Sequence, residues 1–357
     1  MILSAVALSL ALVWPQQATT APARDDKPVT LSRTFVKGEK LQYGISSNLH
    51  VEGRQIGLQT FIPVDFDYAY KFTTEVTGLK GDGVAEIHYQ RPNIVEIQEQ
   101  TYDKPETKKT EAVDWNLSLM VSPINKVLDI KDLNPKKPPK KPNGGGGNEG
   151  GGLLRYRLGG GAAQGSLDAL LDQFLGEVHQ LALNIGSLEM LDFAPSLPLD
   201  DVKVGDTWKM TVGYQPQKLK GKEGKQAVQR LDYTFTYKGL VDVNGKKYYR
   251  VAAALDLNTD IGAFINQLLD QKPEESKLKS IPLTLKQNID FDLDMGSKRT
   301  VHALSKASGS FAINTTLADE ALEEEKFTGQ TELKLLASGM ASPPKPAQAP
   351  VRHGGGH

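Results

Sequence analysis

The 357-residue sequence contains no cysteine. That excludes a disulfide framework, thiolate metal sites, iron–sulfur clusters, a cysteine nucleophile and the lipid-modified cysteine that tethers lipoproteins. Histidine is scarce, six residues scattered along the chain, so a histidine-built catalytic or metal constellation has little to draw on. An excess of either charge is missing too. The 42 basic residues face 43 acidic ones, which leaves no global field to attract nucleic acid. There is no G-x-S-x-G elbow, no H-E-x-x-H, no P-loop and no dinucleotide fingerprint. The apolar stretch from Ile2 to Trp14 ends at Pro15, too short to span a bilayer comfortably.

That stretch is followed by Ala21-Pro22-Ala23, the small-x-small pattern of a signal-peptidase site. Residues 1–23 therefore read as a signal peptide cleaved before Arg24, and 24–32 as a flexible start. The absence of Lys or Arg from the first residues keeps a retained N-terminal anchor as the alternative. The chain is expected to be exported, to periplasm, cell envelope or exterior, with no transmembrane span in its mature form.

What is present is alternation. Leu41, Tyr43, Ile45, Leu49 and Val51 take odd positions, Phe66, Tyr68, Tyr70, Phe72 and Val76 even ones, and Trp115, Leu117, Leu119 and Val121 odd ones again. Period two in segments rich in Tyr, Phe, Val and Thr predicts half-buried antiparallel strands over 33–134. A composition break follows. "PKKPPKKP" at 135–142 and the glycines after it cannot bury a core, so 135–165 reads as a disordered insertion. Residues 166–185 then change period: Leu167, Leu170, Leu171, Phe174, Val178, Leu181, Ala182 and Ile185 form the apolar stripe of a helix. A shorter helix is predicted at 260–271 and a helical turn at 317–325. Strands fill the rest of 166–338, including a hairpin turning at Met295-Gly296-Ser297. The Pro- and Gly-rich tail 339–357 reads as loose.

Two short motifs echo each other. Gly38-Glu39-Lys40-Leu41 and Gly205-Asp206-Thr207-Trp208 each precede a strand, and each is followed by a strand ending in Gly-Leu, at Gly78 and Gly239. They predict an internal repeat in which the glycine makes a tight turn, the acid faces water and Leu41 or Trp208 enters the core. "APSLPLDDVKVGDTW", "YKGLVDVNGKKYYRV" and "IDFDLDMGSKRTV" together resemble a secreted bacterial family of unknown function. Its pattern is a Pro-flanked Val-x-Val-Gly-Asp-x-Trp with a later Phe-Asp-x-x-x-Gly-(Arg/Lys) strand. The resemblance covers roughly residues 33–338 and implies an exported β-rich protein, with no activity attached.

Candidate sites are few. Asp290, Asp292 and Asp294 lack the Gly and Glu spacing of a calcium loop and alternate with Ile289, Phe291 and Leu293, as the solvated face of a strand would. His353 and His357 in "HGGGH" are the sparse metal candidates. Lys136, Lys137, Lys140 and Lys141 are the candidates for contact with an anionic surface. His179 reads as a packed histidine beside the helix stripe. His50, His88 and His302 lie in strands without partner spacing.

The expected fold is α+β and predominantly antiparallel β: a large curved sheet, or sheets, or a sandwich, with one or two covering helices. No cofactor is expected. Helix-covered curved sheets carry hydrophobic ligands in lipoprotein-transport proteins, and by that analogy the preferred reading is a non-enzymatic envelope carrier. Its partner would be an apolar small molecule or an envelope component. A carboxylate-based hydrolase and a structural surface protein are the alternatives.

Overall fold

A computed structural model describes residues 27–91, 95–101, 106–111, 115–134, 178–183, 194–214, 229–268 and 276–340. The predicted signal peptide, the 135–165 insertion, most of the 166–185 helix and the tail beyond 340 lie outside the described residues, as do His353, His357, Lys136, Lys137, Lys140 and Lys141.

The alternating segments form the strands they predict. In chain order these are β1 (Glu39–Gln55), β2 (Ile62–Leu79), β3 (Ala85–Arg91), β4 (Val95–Thr101), β5 (Thr107–Glu111), β6 (Trp115–Val121) and β7 (Val127–Asp132), then β8 (Thr207–Tyr214), β9 (Gln229–Val243), β10 (Lys246–Asp260), β11 (Leu278–Ser280), β12 (Pro282–Asp294), β13 (Thr300–Thr315) and β14 (Glu323–Met340). They join one 14-stranded sheet whose main path runs β7-β6-β3-β2-β1-β14-β13-β12-β10-β9-β8. Strands from 33–134 and from 166–338 thus share a sheet, joined where β1 pairs with β14 along its whole length. Two helices are described: α1 over 178–183 and α2 (Gly262–Leu268). The helical turn expected at 317–325 is absent; Glu323, Glu324 and Glu325 already belong to β14. Pairing with β1 wins over local helix propensity there.

Backbone bonds at one end force the sheet to curl. The β6–β7 and β12–β13 turns are half the sheet apart, roughly 30 Å if it were flat. Yet the adjacent residues Arg33 and Thr34 donate to Pro123 and Ser297 in those two turns, at 2.7 and 3.0 Å. The outermost strands, β7 and β8, are brought together in the same way. Leu197 N donates to Ile124 O at 3.0 Å, while Trp208 Nε1 at the start of β8 donates to Ser196 O at 2.9 Å. Residues 28–36 and 194–206 therefore draw the strand ends into a narrow mouth, and Val29 and Val202 bridge the two segments. No strand pairing joins β7 to β8 among the described residues. The sheet is curled and unclosed.

The repeated motif has matching geometry in both halves. Gly38 and Gly205 have φ of 84° and 96°, the left-handed region that glycine enters without strain. Gly38 N donates to Val76 O and Gly205 N to Tyr237 O, both at 2.8 Å. Each acceptor lies two residues before the glycine of Gly-Leu, and a register irregularity follows at each place. Two details depart from expectation. Glu39 is buried and bonded to Arg299 Nη1 at 2.7 Å instead of facing water. Trp208 is half-buried, stacked on Phe235 at 5.7 Å, because β8 is an edge strand with a neighbour on one side only. Leu41 is in the core as expected.

Candidate functional site

Among the described residues, the lumen of the curled sheet gathers buried apolar side chains from most strands of the main path. Tyr43, Ile45 and Leu49 of β1, Phe72 of β2, Tyr233 and Phe235 of β9, Phe291 of β12 and Phe327 of β14 are all buried. Tyr43, Phe72 and Tyr89 form a stacked series with centroids 5.0 and 5.3 Å apart. Arg91 is held over Tyr70 at 4.0 Å and Trp115 at 4.8 Å.

Helix α1 lies in this lumen, with Val178, Leu181, Ala182 and Leu183 buried. Its apolar stripe explains why it enters an apolar trough; its backbone explains the polar residues found there. Two of its backbone carbonyls accept hydrogen bonds from side chains of the sheet. Gln287 Nε2 donates to Ala182 O at 3.0 Å, and Thr331 Oγ1 donates to Leu183 O at 2.8 Å. Tyr233 in turn donates to Gln287 Oε1 at 2.5 Å, and burial pushes the Tyr233 phenol well above its ordinary range. Gly329 lets the helix approach closely, since a Cβ there would stand 2.8 Å from Leu183 Cδ2. At the side of α1, His179 Nε2 meets Glu325 Oε2 at 2.9 Å, both side chains buried, with the Phe66 ring 5.6 Å from the imidazole. The histidine is packed, as the stripe predicts. Its buried carboxylate partner is 146 residues away and has no local signature.

At the narrow mouth the lumen ends in a small cavity of about 50 Å³ walled by Arg33, Tyr43, Phe72, Tyr89 and Asn125 among others. Sequence reasoning gave no sign of Arg33 or Asn125 as lining residues, because the 28–36 segment is placed by turns distant in sequence.

The other histidines pair across strands on the outer face. His50 Nδ1 is 2.7 Å from Asp65 Oδ1, and His88 Nε2 is 2.6 Å from Asn116 Oδ1. The Asp290–Asp294 row is not uniformly solvated. Asp294 caps its turn by accepting from Ser297, N and Oγ each at 2.8 Å. Asp292 is buried and receives Arg250 through Nε at 2.7 Å and Nη2 at 2.9 Å. His302 bridges Asp292 at 3.2 Å and Glu332 at 3.1 Å. Burial alone would raise the Asp292 carboxyl, but bonds from His302 and Arg250 hold it below its usual range. The bond to Asp292 raises His302 above the ordinary imidazole range against partial burial, with Glu332 adding to the rise.

These shifts set a pH window for stability. The His302 contribution is complete below the ordinary imidazole range and is lost as pH rises through its raised pKa. The Asp292 contribution is complete above the ordinary carboxylate range and is lost as pH falls through its lowered pKa. Between about pH 6 and about pH 9 the melting temperature of the parent should therefore fall more steeply than that of His302→Gln. Equal slopes in the two proteins would show that the bridge carries no linkage.

No protein-family model matches the chain, and no curated protein matches it. Similar solved structures include lipovitellin, in a structure concerned with lipid–protein interactions, at 10% identity and a TM-score of 0.39. The match covers 88% of this chain, which spans only 26% of that one. Another is DynF from the dynemicin biosynthesis pathway of Micromonospora chersina, at 7% identity and a TM-score of 0.21, with 92% of each chain covered. Neither score is high enough to equate the folds. No helix among the described residues is long and apolar enough to cross a membrane.

Proposed function

We propose that the protein is an exported carrier that holds an apolar small molecule in the lumen of its curled sheet. The observation that carries this reading is the relation of α1 to the lumen. A large antiparallel sheet buries an apolar inner face, and the described helix seated in it is fastened by a few polar contacts, those of Gln287, Thr331 and Glu325. An apolar occupant seated in the same trough would keep the inner side chains out of water as α1 does. Export rests on the apolar N-terminal stretch followed by Ala21-Pro22-Ala23. Kinship with the secreted family carrying the Val-x-Val-Gly-Asp-x-Trp motif belongs to the same proposal.

Native mass spectrometry of the full chain, purified gently from its producing cells, tests the reading. The expected spectrum carries a non-covalent apolar adduct that organic extraction removes and that rebinds afterwards. A bare chain that takes up no apolar probe would overturn it.

A further inference from the structure

Arg33 at the narrow mouth is a cation without a carboxylate of its own. Its neighbour Arg299 bonds one oxygen of Glu39 at 2.7 Å, the other oxygen has no hydrogen-bond partner, and this one carboxylate shared between two guanidinium groups leaves Arg33, Arg299 and Glu39 with one positive charge in excess. Arg33 forms no ion pair among the described residues; its guanidinium lies over the Phe35 ring at 4.6 Å. Its Nε is buried without a hydrogen-bond partner, and so is Asn125 Oδ1, although Asn125 Nδ2 donates to Pro195 O at 2.9 Å. Both residues line the 50 Å³ cavity. Burial pushes the Arg33 guanidinium below its ordinary range, against the opposing pull of Tyr43 and Glu39. The Arg33 side chain as a whole is half-buried, and a partly desolvated cation that shares its carboxylate gains from an anion delivered to it.

The remaining cavity walls decide what kind of anion fits. Tyr43, Phe72, Tyr89, Ile87 and Leu119 are lumen-facing side chains of β1, β2, β3 and β6. Thr74 and Thr300 add polar groups to these aromatic and aliphatic surfaces, but one excess positive charge matches a singly charged anion better than a multiply charged phosphate. The space holds one small planar group and on the order of one or two waters, one of which can answer Asn125 Oδ1. From this mouth the lumen face continues along β1 through Ile45 to Leu49, roughly 20 Å at strand rise, where Leu49 Cδ1 meets the docking surface of α1 at Gly329.

We propose that this cavity is a carboxylate site, and that the ligand of the lumen is a monocarboxylic amphiphile whose head group pairs with Arg33 while its chain runs along β1 toward α1. The chain part rests on the carrier reading; the head-group part does not. A guanidinium suits a carboxylate because its planar fork of donors matches the two oxygens.

The test is calorimetric titration of the full chain, stripped of bound molecules, with acetate, butyrate, octanoate and octan-1-ol. Octanoate is expected to bind at least about tenfold more tightly than octan-1-ol. Affinity should rise about fourfold per methylene along the carboxylate series. Arg33→Gln should weaken every carboxylate by about tenfold or more and leave octan-1-ol unchanged, while Arg33→Lys keeps most of the preference. If Arg33→Gln fails to fold, the preference of the unaltered protein for octanoate over octan-1-ol decides. Carboxylates that bind through Arg33 with no dependence on chain length would uphold the head-group site and overturn the carrier reading. Octanoate and octan-1-ol binding equally well, in parent and Arg33→Gln alike, would uphold the carrier and overturn the head-group site. No binding of either up to about 10 mM would overturn both.

Discussion

Gly309→Ala is expected to destabilise the protein by about 3 kcal/mol or more, the upper range for overpacking a filled core. Gly309 sits in β13, paired with Leu285 of β12 and Phe327 of β14. A Cβ at that position would overlap the Thr284 carbonyl oxygen and stand 2.5 Å from Phe327 Cζ. A flexible side chain could swing away, but the Thr284 carbonyl belongs to the backbone of a strand paired on both sides. Relief therefore means separating β12 from β13 or tipping the buried Phe327 ring off the lumen wall. Thermal denaturation should show a loss of at least about 5 °C. A melting temperature within about 1 °C of the parent would mean that the centre of the sheet gives way far more readily than a close-packed interior should.

Gly309 also shows where sequence reading stops. Residues 300–315 alternate well enough to predict β13, yet nothing local distinguishes a glycine that admits an aromatic ring from one that merely weakens a strand. The same division runs through the whole fold. Period-two patterning recovers β1, β2, β6, β9, β10 and the β12–β13 hairpin because side-chain alternation is set within each segment. The curl is not legible, since it depends on Arg33 and Thr34 reaching turns that follow them by about ninety and about 260 residues. Glu323 and Glu325 read as helical because Leu, Ala and Glu favour helices; in the sheet their alternation places both carboxylates inward. Asp292 reads as solvated because its strand alternates, while its partners Arg250 and His302 lie on the two flanking strands. The carboxylate site we propose follows the same logic. Arg33 and Asn125 meet only once the sheet has curled.

His179→Leu is expected to cost about 3–5 kcal/mol, because it leaves Glu325 buried in the lumen without its hydrogen-bond partner. The carboxylate is fully enclosed, its side chain 0% exposed. Its Oε1 already lacks a hydrogen-bond partner, so the bond from His179 to Oε2 is what compensates its burial. Adding Glu325→Leu should restore much of the lost stability by removing the orphaned group. Denaturant titrations of parent, single and double variants measure both effects. A single variant as stable as the parent would show that the pair does not fasten α1. A double variant no better than the single one would place the loss in the packing of the imidazole against Phe66 instead.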